Sequence, residues 1–294
     1  MSKINKFFQY HTWNIGFVEQ PVEQILVNED TDLTIHWLKH SYKNLFFADP
    51  FLLSVDEKYI QVLVEEFPYN KKKGVISLLT IDKQYNLSSK KTICNQPYHQ
   101  SYPFILRLDN EIRVIPEASQ SGALYSYHLN LDKCILEDKQ MLINEPLLDS
   151  TIVNKDGLWW LFATKRGANS NKDLFIYYSE NPLGGYNLIS QEPVKKDLSG
   201  ARPAGYVVNI DGEFYRVVQV CEHSYGEAVR IYKINTLTKQ SFEESFVKEI
   251  RLTDSIYSEG FHTLNGLQNL CVVDGLREDK VICRKILNEV KNIF

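Results

Sequence analysis

One unit, spaced 47 to 60 residues apart, recurs five times along this chain, and it limits the fold more tightly than any other feature. Each copy opens on a polar residue, runs into an apolar strand, turns on polar residues and returns as a second strand. The copies begin "FFADPFLLSVDEKYIQVLVEE", "QSYPFILRLDNEIRVIPEA", "LLDSTIVNKDGLWWLFATK", "GARPAGYVVNIDGEFYRVVQV" and "EGFHTLNGLQNLCVVDG", with Asp49, Tyr102, Asp149, Arg202 and His262 as their leading polar residues. The turns "VDEK", "LDNE", "NKDG", "NIDG" and "NGLQ" share the Asp, Asn and Gly chemistry of short hairpin loops. Between them lie short runs rich in Val, Ile, Tyr and Phe, such as "YIQVLVEEF", "LWWLFAT" and "AVRIYKI". Helical periodicity is nearly absent, with one helical turn expected near residues 242–249. Five small antiparallel meanders predict an all-β, five-bladed β-propeller formed by residues 1–294 as a single domain. The segment "TWNIGFVEQPVEQIL" is expected to add an outer strand to the last blade and close the ring. A β-sandwich is the alternative.

Composition narrows the function classes. With 44% hydrophobic and 24% charged residues the chain can bury a large core, and disorder is not expected. A net charge of −4 and a pI near 6.0 give no reason to expect nucleic-acid binding. The basic run Lys71-Lys72-Lys73 reads as a solvated hairpin tip. The five cysteines, Cys94, Cys134, Cys221, Cys271 and Cys283, are odd in number and widely spaced, which argues against zinc and against a disulfide framework. No metal site and no cofactor are expected, and no phosphate loop or dinucleotide fingerprint is present. The start "MSKINKFFQYHTW" has no apolar leader and no run of 18 apolar residues follows it, so a cytoplasmic protein without a membrane span is expected.

A carboxylate inside "NLFFADPFLL" is costly to bury without a partner or a task. In a propeller the first strand of each blade lines the axis, so the five leading residues should converge on one funnel, a default location for a ligand site. Asp49 and Asp149 are the first candidates for acid–base work on a sugar, with Glu117, at the end of a second strand, as a third. Their structural alternative is that Asp49 caps a turn and Asp149 bonds to backbone amides of the neighbouring blade. Of Glu65 and Glu66 only one can face the funnel, because strand residues alternate, and Glu66 is preferred. Lys165, Arg166, Glu222 and His223 occupy matching places in units three and four and are candidate ligand contacts or surface groups. Arg202 offers a planar fork for phosphate or carboxylate, or pairs with one of the aspartates. His262 is a candidate acid/base, a hydroxyl contact or a satisfied core histidine, and Tyr102 a candidate stacking surface for a sugar.

Taken in order, "FFADPFLL…VLVEEF", "SYPFIL…VIPEAS", "DSTIV…GLWWLFAT", "GARPAG…FYRVVQ" and "GFHTLN" resemble, over about residues 40–275, the N-terminal domain family of glucosamine inositolphosphorylceramide transferase. The resemblance implies a propeller associated with glycolipid and surface-polysaccharide biosynthesis, where it accompanies transferase domains. The chain is more distantly similar to five-bladed glycosidases of the arabinanase, xylosidase and invertase kind, whose carboxylates open blades one, three and four. Asp49 and Asp149 match the first two positions, while Arg202 stands where the third carboxylate is expected. That departure moves the expectation from hydrolysis toward glycosyl transfer with a phosphorylated or acidic sugar, such as a sugar phosphate or nucleotide sugar. An inverting glycoside hydrolase and a non-catalytic sugar-binding propeller beside a separate transferase chain remain the alternatives.

Overall fold

The computed structural model describes residues 9–29, 32–253 and 256–280. They form a nearly all-β five-bladed propeller. The chain enters through β1 (Gln9–Val18), a short helix α1 (Val22–Val27) and β2 (His36–Trp37). Blade one holds β3 (Leu45–Val55), β4 (Tyr59–Pro68), β5 (Val75–Asp82) and β6 (Leu87–Cys94). Blade two holds β7 (Ser101–Arg107), β8 (Ile112–Glu117), β9 (Leu124–Asn130) and β10 (Ile135–Ile143). Blade three holds β11 (Leu147–Lys155), β12 (Leu158–Lys165) and β13 (Asp173–Ser179), with β14 (Asn187–Leu188) and β15 (Lys195–Lys196) both on the edge of β13. Blade four holds β16 (Pro203–Ile210), β17 (Glu213–Val220), β18 (Ala228–Leu237) and β19 (Phe242–Ile250). Blade five joins both ends of the chain in the order β20 (Leu264–Leu267), β21 (Leu270–Lys280), β1, β2.

The innermost strands touch in a closed circuit, β3 to β7, β11, β16, β20 and back to β3. Blades pack face to face, so strands are buried on both sides. That is why Phe51, Leu52 and Leu53 can all be apolar in succession, each at most 4% exposed. The axis itself is filled. Phe51, Tyr102, Phe104 and Tyr206 meet there with ring centroids 4.9 to 5.9 Å apart. The Tyr206 hydroxyl reaches from blade four to the Ile105 carbonyl of blade two at 3.0 Å. The axis is therefore an aromatic plug, not an open channel.

Two local expectations change. Residues 242–249 are strand β19, not a helical turn: Phe242 and Glu243 start its ladder against β18. The "VEQIL" part of the entering segment is helix α1, which buries Val22, Ile25 and Leu26, while "TWNIGFV" pairs with β21 as the third strand of blade five. Cys94, Cys134, Cys221 and Cys271 are free thiols, and Cys283 lies outside the described residues. Among the described residues no helix is long and apolar enough to cross a membrane.

Candidate functional site

The first strands of blades one to three bulge at the same place. The register slips between Ala48 and Phe51, between Ser101 and Phe104, and between Leu148 and Thr151. The residue after each last regular pair is left-handed: Asp49 at φ 51°, Tyr102 at φ 41° and Asp149 at φ 46°. Such a backbone is strained for a non-glycine residue, and strain of this kind collects at sites that the surrounding fold over-determines. Each bulge turns a side chain out of the ladder and toward the axis.

Asp49 is 5% exposed and held from three directions. Its Oδ2 accepts the Tyr102 amide of blade two at 3.1 Å, its Oδ1 accepts the Thr263 hydroxyl of blade five at 3.1 Å, and His262 Nε2 lies 3.4 Å from Oδ1. Burial raises its pKa to about 6, against the lowering pull of His262. His262 stands just before β20, stacked on Trp13 at 4.1 Å, with Nδ1 2.7 Å from Asp274 Oδ2. Burial opposes its charge, but Asp274 and Asp49 outweigh it and raise the pKa to about 9, so the ring is an imidazolium at neutral pH. Asp274 is fully buried and accepts the amides of His262 and Thr263 on Oδ1 and that of Asp49 on Oδ2, each at 3.0 Å. Asp49, His262 and Asp274 form a triad that joins blade five to blade one. The three could offer oxygen and nitrogen ligands to a cation within a 4.8 Å cluster, but the imidazolium already balances the carboxylates.

The adjoining carboxyls come from the second strands. Glu65 pairs with Ala48 and Glu117 with Ser101, at equivalent places in blades one and two. Glu65 is 7% exposed, and burial, then repulsion from Asp49, Glu117 and Asp149, holds its carboxyl well above the usual range. His99 Nδ1 accepts the Gly74 amide at 2.8 Å, so its proton sits on Nε2, 3.6 Å from Glu65. Glu117 accepts the Ser119 amide at 2.7 Å and the Ser101 hydroxyl at 3.2 Å. The preference for Glu66 is reversed: its carboxylate is on the other face of β4, held by Lys90 at 2.5 Å and Ser77 at 2.6 Å. Strand alternation is the reason.

Asp149 accepts Arg202 Nε at 2.5 Å and Gln219 Nε2 at 2.7 Å from blade four. Arg202 stands one residue before β16, ahead of the blade-four bulge between Pro203 and Val207, so it is not the strand equivalent of the aspartates. Burial disfavours its charge, yet Asp149 more than compensates and raises its pKa. Its Nη1 donates to Asn171 at 2.8 Å, while Nη2 bonds to none of the described residues. Tyr225, on the loop between β17 and β18, has its ring 5.1 Å from the Arg202 guanidinium and 5.5 Å from the His262 ring.

Tyr102 gives this cluster only its backbone amide, and the other expected residues find their contacts elsewhere. Tyr102 is fully buried, its hydroxyl sharing a hydrogen bond with Thr151 at 2.9 Å and reaching the Gly205 carbonyl at 3.3 Å, which leaves no ring face for a sugar. Lys165 pairs with Glu145 at 2.5 Å and lies over the Phe175 ring, and Arg166 is exposed beyond β12. Glu222 accepts the Ser199 hydroxyl and pairs with Arg230 at 3.5 Å; His223 is largely exposed beside Glu227. Sequence reasoning missed Asp274, Gln219 and Tyr225, and ranked Glu65 behind Glu66. Asp274 had a signal, since it ends the strand run "NLCVVDG" where Glu65 and Glu117 end theirs.

Comparison with known proteins agrees with this architecture. A family model described as "Glucosamine inositolphosphorylceramide transferase 1, N-terminal" matches residues 33–275. The glucosamine inositolphosphorylceramide transferase 1 of Oryza sativa subsp. japonica is 34% identical over 209 residues, 69% of this chain and 28% of the relative. That of Arabidopsis thaliana is 29% identical over 228 residues, 76% of this chain and 29% of the relative. The chain thus spans less than a third of the plant relatives it matches. Among solved structures, the α-L-arabinofuranosidase of Podospora anserina in complex with cellotriose superposes with a TM-score of 0.59 at 8% identity, covering 91% of this chain and 97% of that one. The GH62 α-L-arabinofuranosidase of Coprinopsis cinerea gives 0.57 at 11% identity, covering 90% and 97%. At such identities the likeness is one of fold. The match across residues 33–275 assigns the family, and the chain belongs to the N-terminal domain family of glucosamine inositolphosphorylceramide transferase 1.

Proposed function

We propose that the chain binds a sugar at the axial mouth and takes part in glycosyl transfer in glycolipid or surface-polysaccharide synthesis. One observation carries the reading: Asp49, Glu65, Glu117 and Asp149, from three blades, interact electrostatically across one mouth that also holds Arg202 and His262. Converging carboxyls of differing protonation are the equipment of acid–base chemistry at a glycosidic centre. Asp49 acts as base toward an acceptor hydroxyl. Each of its oxygens accepts one hydrogen bond from Tyr102 or Thr263, which leaves lone pairs for a substrate proton. The acceptor oxygen bonds to the anomeric carbon as the bond to the leaving oxygen breaks. Arg202, fixed by Asp149, offers Nη2 to an anionic leaving group or substituent. Glu117 and His262 contact hydroxyls.

Two other readings each draw on a specific feature. Glu65, whose carboxyl burial holds above the usual range, would serve an inverting hydrolase by protonating the departing oxygen while Asp49 activates water. Burial of Asp49, Glu65, Glu117 and Asp149, each at most 7% exposed, above a filled axis favours a sugar-binding module beside a separate transferase. One assay separates the three: nucleotide-sugar donors with and without glycolipid acceptors, read by mass spectrometry. Transfer predicts an acceptor-dependent product that Asp49→Asn reduces by roughly 100-fold or more, with donor binding kept within a few-fold. Free sugar without acceptor supports hydrolysis, and binding without any product supports the module and overturns transfer.

A further inference from the structure

Asp49, Glu65, Glu117, Asp149 and His262 are each under a tenth exposed, but Tyr225 beside them is 44% exposed. The exposed aromatic is not a loose loop residue. Its ring lies 5.1 Å from the Arg202 guanidinium and meets the His262 ring edge-on at 5.5 Å, and His262 is itself stacked on Trp13. The loop is locked from behind. The Phe261 amide donates to the Gly226 carbonyl at 2.7 Å, and Gly226, at φ 62°, packs so closely that a Cβ there would sit 2.6 Å from His262 Cβ.

We propose that Tyr225 is the stacking platform of the mouth, receiving the C–H face of a pyranose ring and turning its polar edge toward Arg202 and the carboxyls. The inference rests on the sugar reading of the mouth and names the ring contact that reading lacks. A rigid, partly exposed aromatic supplies contact area at little entropic cost, and the Arg202 cation beside it holds the ring while still offering Nη2 to the ligand. The ligand class is a pyranose carrying an anionic substituent: the ring lies on Tyr225 and the anion meets Arg202 Nη2.

Glucose 1-phosphate and inorganic phosphate are the probes, titrated calorimetrically into the full chain. Tyr225→Ala should weaken glucose 1-phosphate roughly tenfold and leave inorganic phosphate unchanged, and Tyr225→Phe should stay within about twofold of wild type. Unchanged glucose 1-phosphate affinity in Tyr225→Ala overturns the platform while leaving the sugar site standing. No binding of glucose 1-phosphate to the wild type overturns both. Should Tyr225→Ala misfold, saturation-transfer NMR on the wild type decides. Irradiating aromatic protons should mark the ring C–H protons of glucose 1-phosphate, and absence of transfer to a bound probe overturns the proposal.

Discussion

Asp274 takes the amides of Asp49, His262 and Thr263 on its two oxygens, with the His262 ring against it. Asp274→Asn keeps the shape but loses the charge that balances the imidazolium. It should lower the free energy of unfolding by about 3 kcal/mol in urea titrations, because it leaves a buried cation under-compensated. His262 gives a pH signature of definite sign. Its folded pKa is raised from 6.5 to about 9, so its contribution is whole below pH 6.5 and is lost as pH rises through about 9. Stability of the wild type should therefore fall by up to about 3 kcal/mol across that window, and His262→Gln should flatten the decline. Asp49, raised to about 6, contributes in the same sense at lower pH, its share being present below about pH 4 and lost through 6. A base must be ionised, so turnover should rise as pH increases through about 6. At this scale the sequence was half legible. Asp49 and Asp149 were readable because a carboxylate stands out in an apolar run. Glu65 was not told from Glu66, since the face of a strand depends on a bulge that no local pattern announces.

The hairpin turns were the most legible elements. Lys155 pairs with Leu158 and Ile210 with Glu213, leaving the two-residue loops Asp156-Gly157 and Asp211-Gly212, in which all four residues have positive φ. This is the type I′ geometry that Asp-Gly favours, with a twist matching that of the flanking strands. A Cβ at Gly212 would have no neighbour within 4 Å, so Gly212→Ala meets only backbone strain. It should lower stability by about 1 kcal/mol by chemical denaturation and leave sugar binding unchanged. Other elements were less legible. Helix α1 has six residues, too few for a periodic signal, and β19 is an edge strand carrying Glu243, Glu244 and Lys248, with the Glu244 side chain buried against Arg216, so charge does not mark its outer face. Arg202 was aligned with the aspartates because spacing in sequence cannot see the longer bulge of blade four.

For the whole molecule, ring closure depends on β1, which pairs with β21 from Gln9 to Val18 and seats Ile15 and Phe17, both fully buried, between blades five and one. Phe17→Ala should cost about 3–5 kcal/mol in thermal or chemical unfolding, a core-sized penalty for a residue near the start of the chain. The five-fold repeat made this architecture readable in advance. The aromatic plug was not, because Phe51 and Tyr206 meet only once blades one and four have closed the ring.

Burial at the mouth lifts the carboxyls of Asp49 and Glu65 above their ordinary range. Carboxyl-carbon NMR of both, followed from pH 4 to 9, is the measurement on which the acid–base reading turns. Asp49 is expected to titrate near 6 and Glu65 well above the usual carboxylate range. Two carboxyls that both titrate like those on an open surface would overturn the reading.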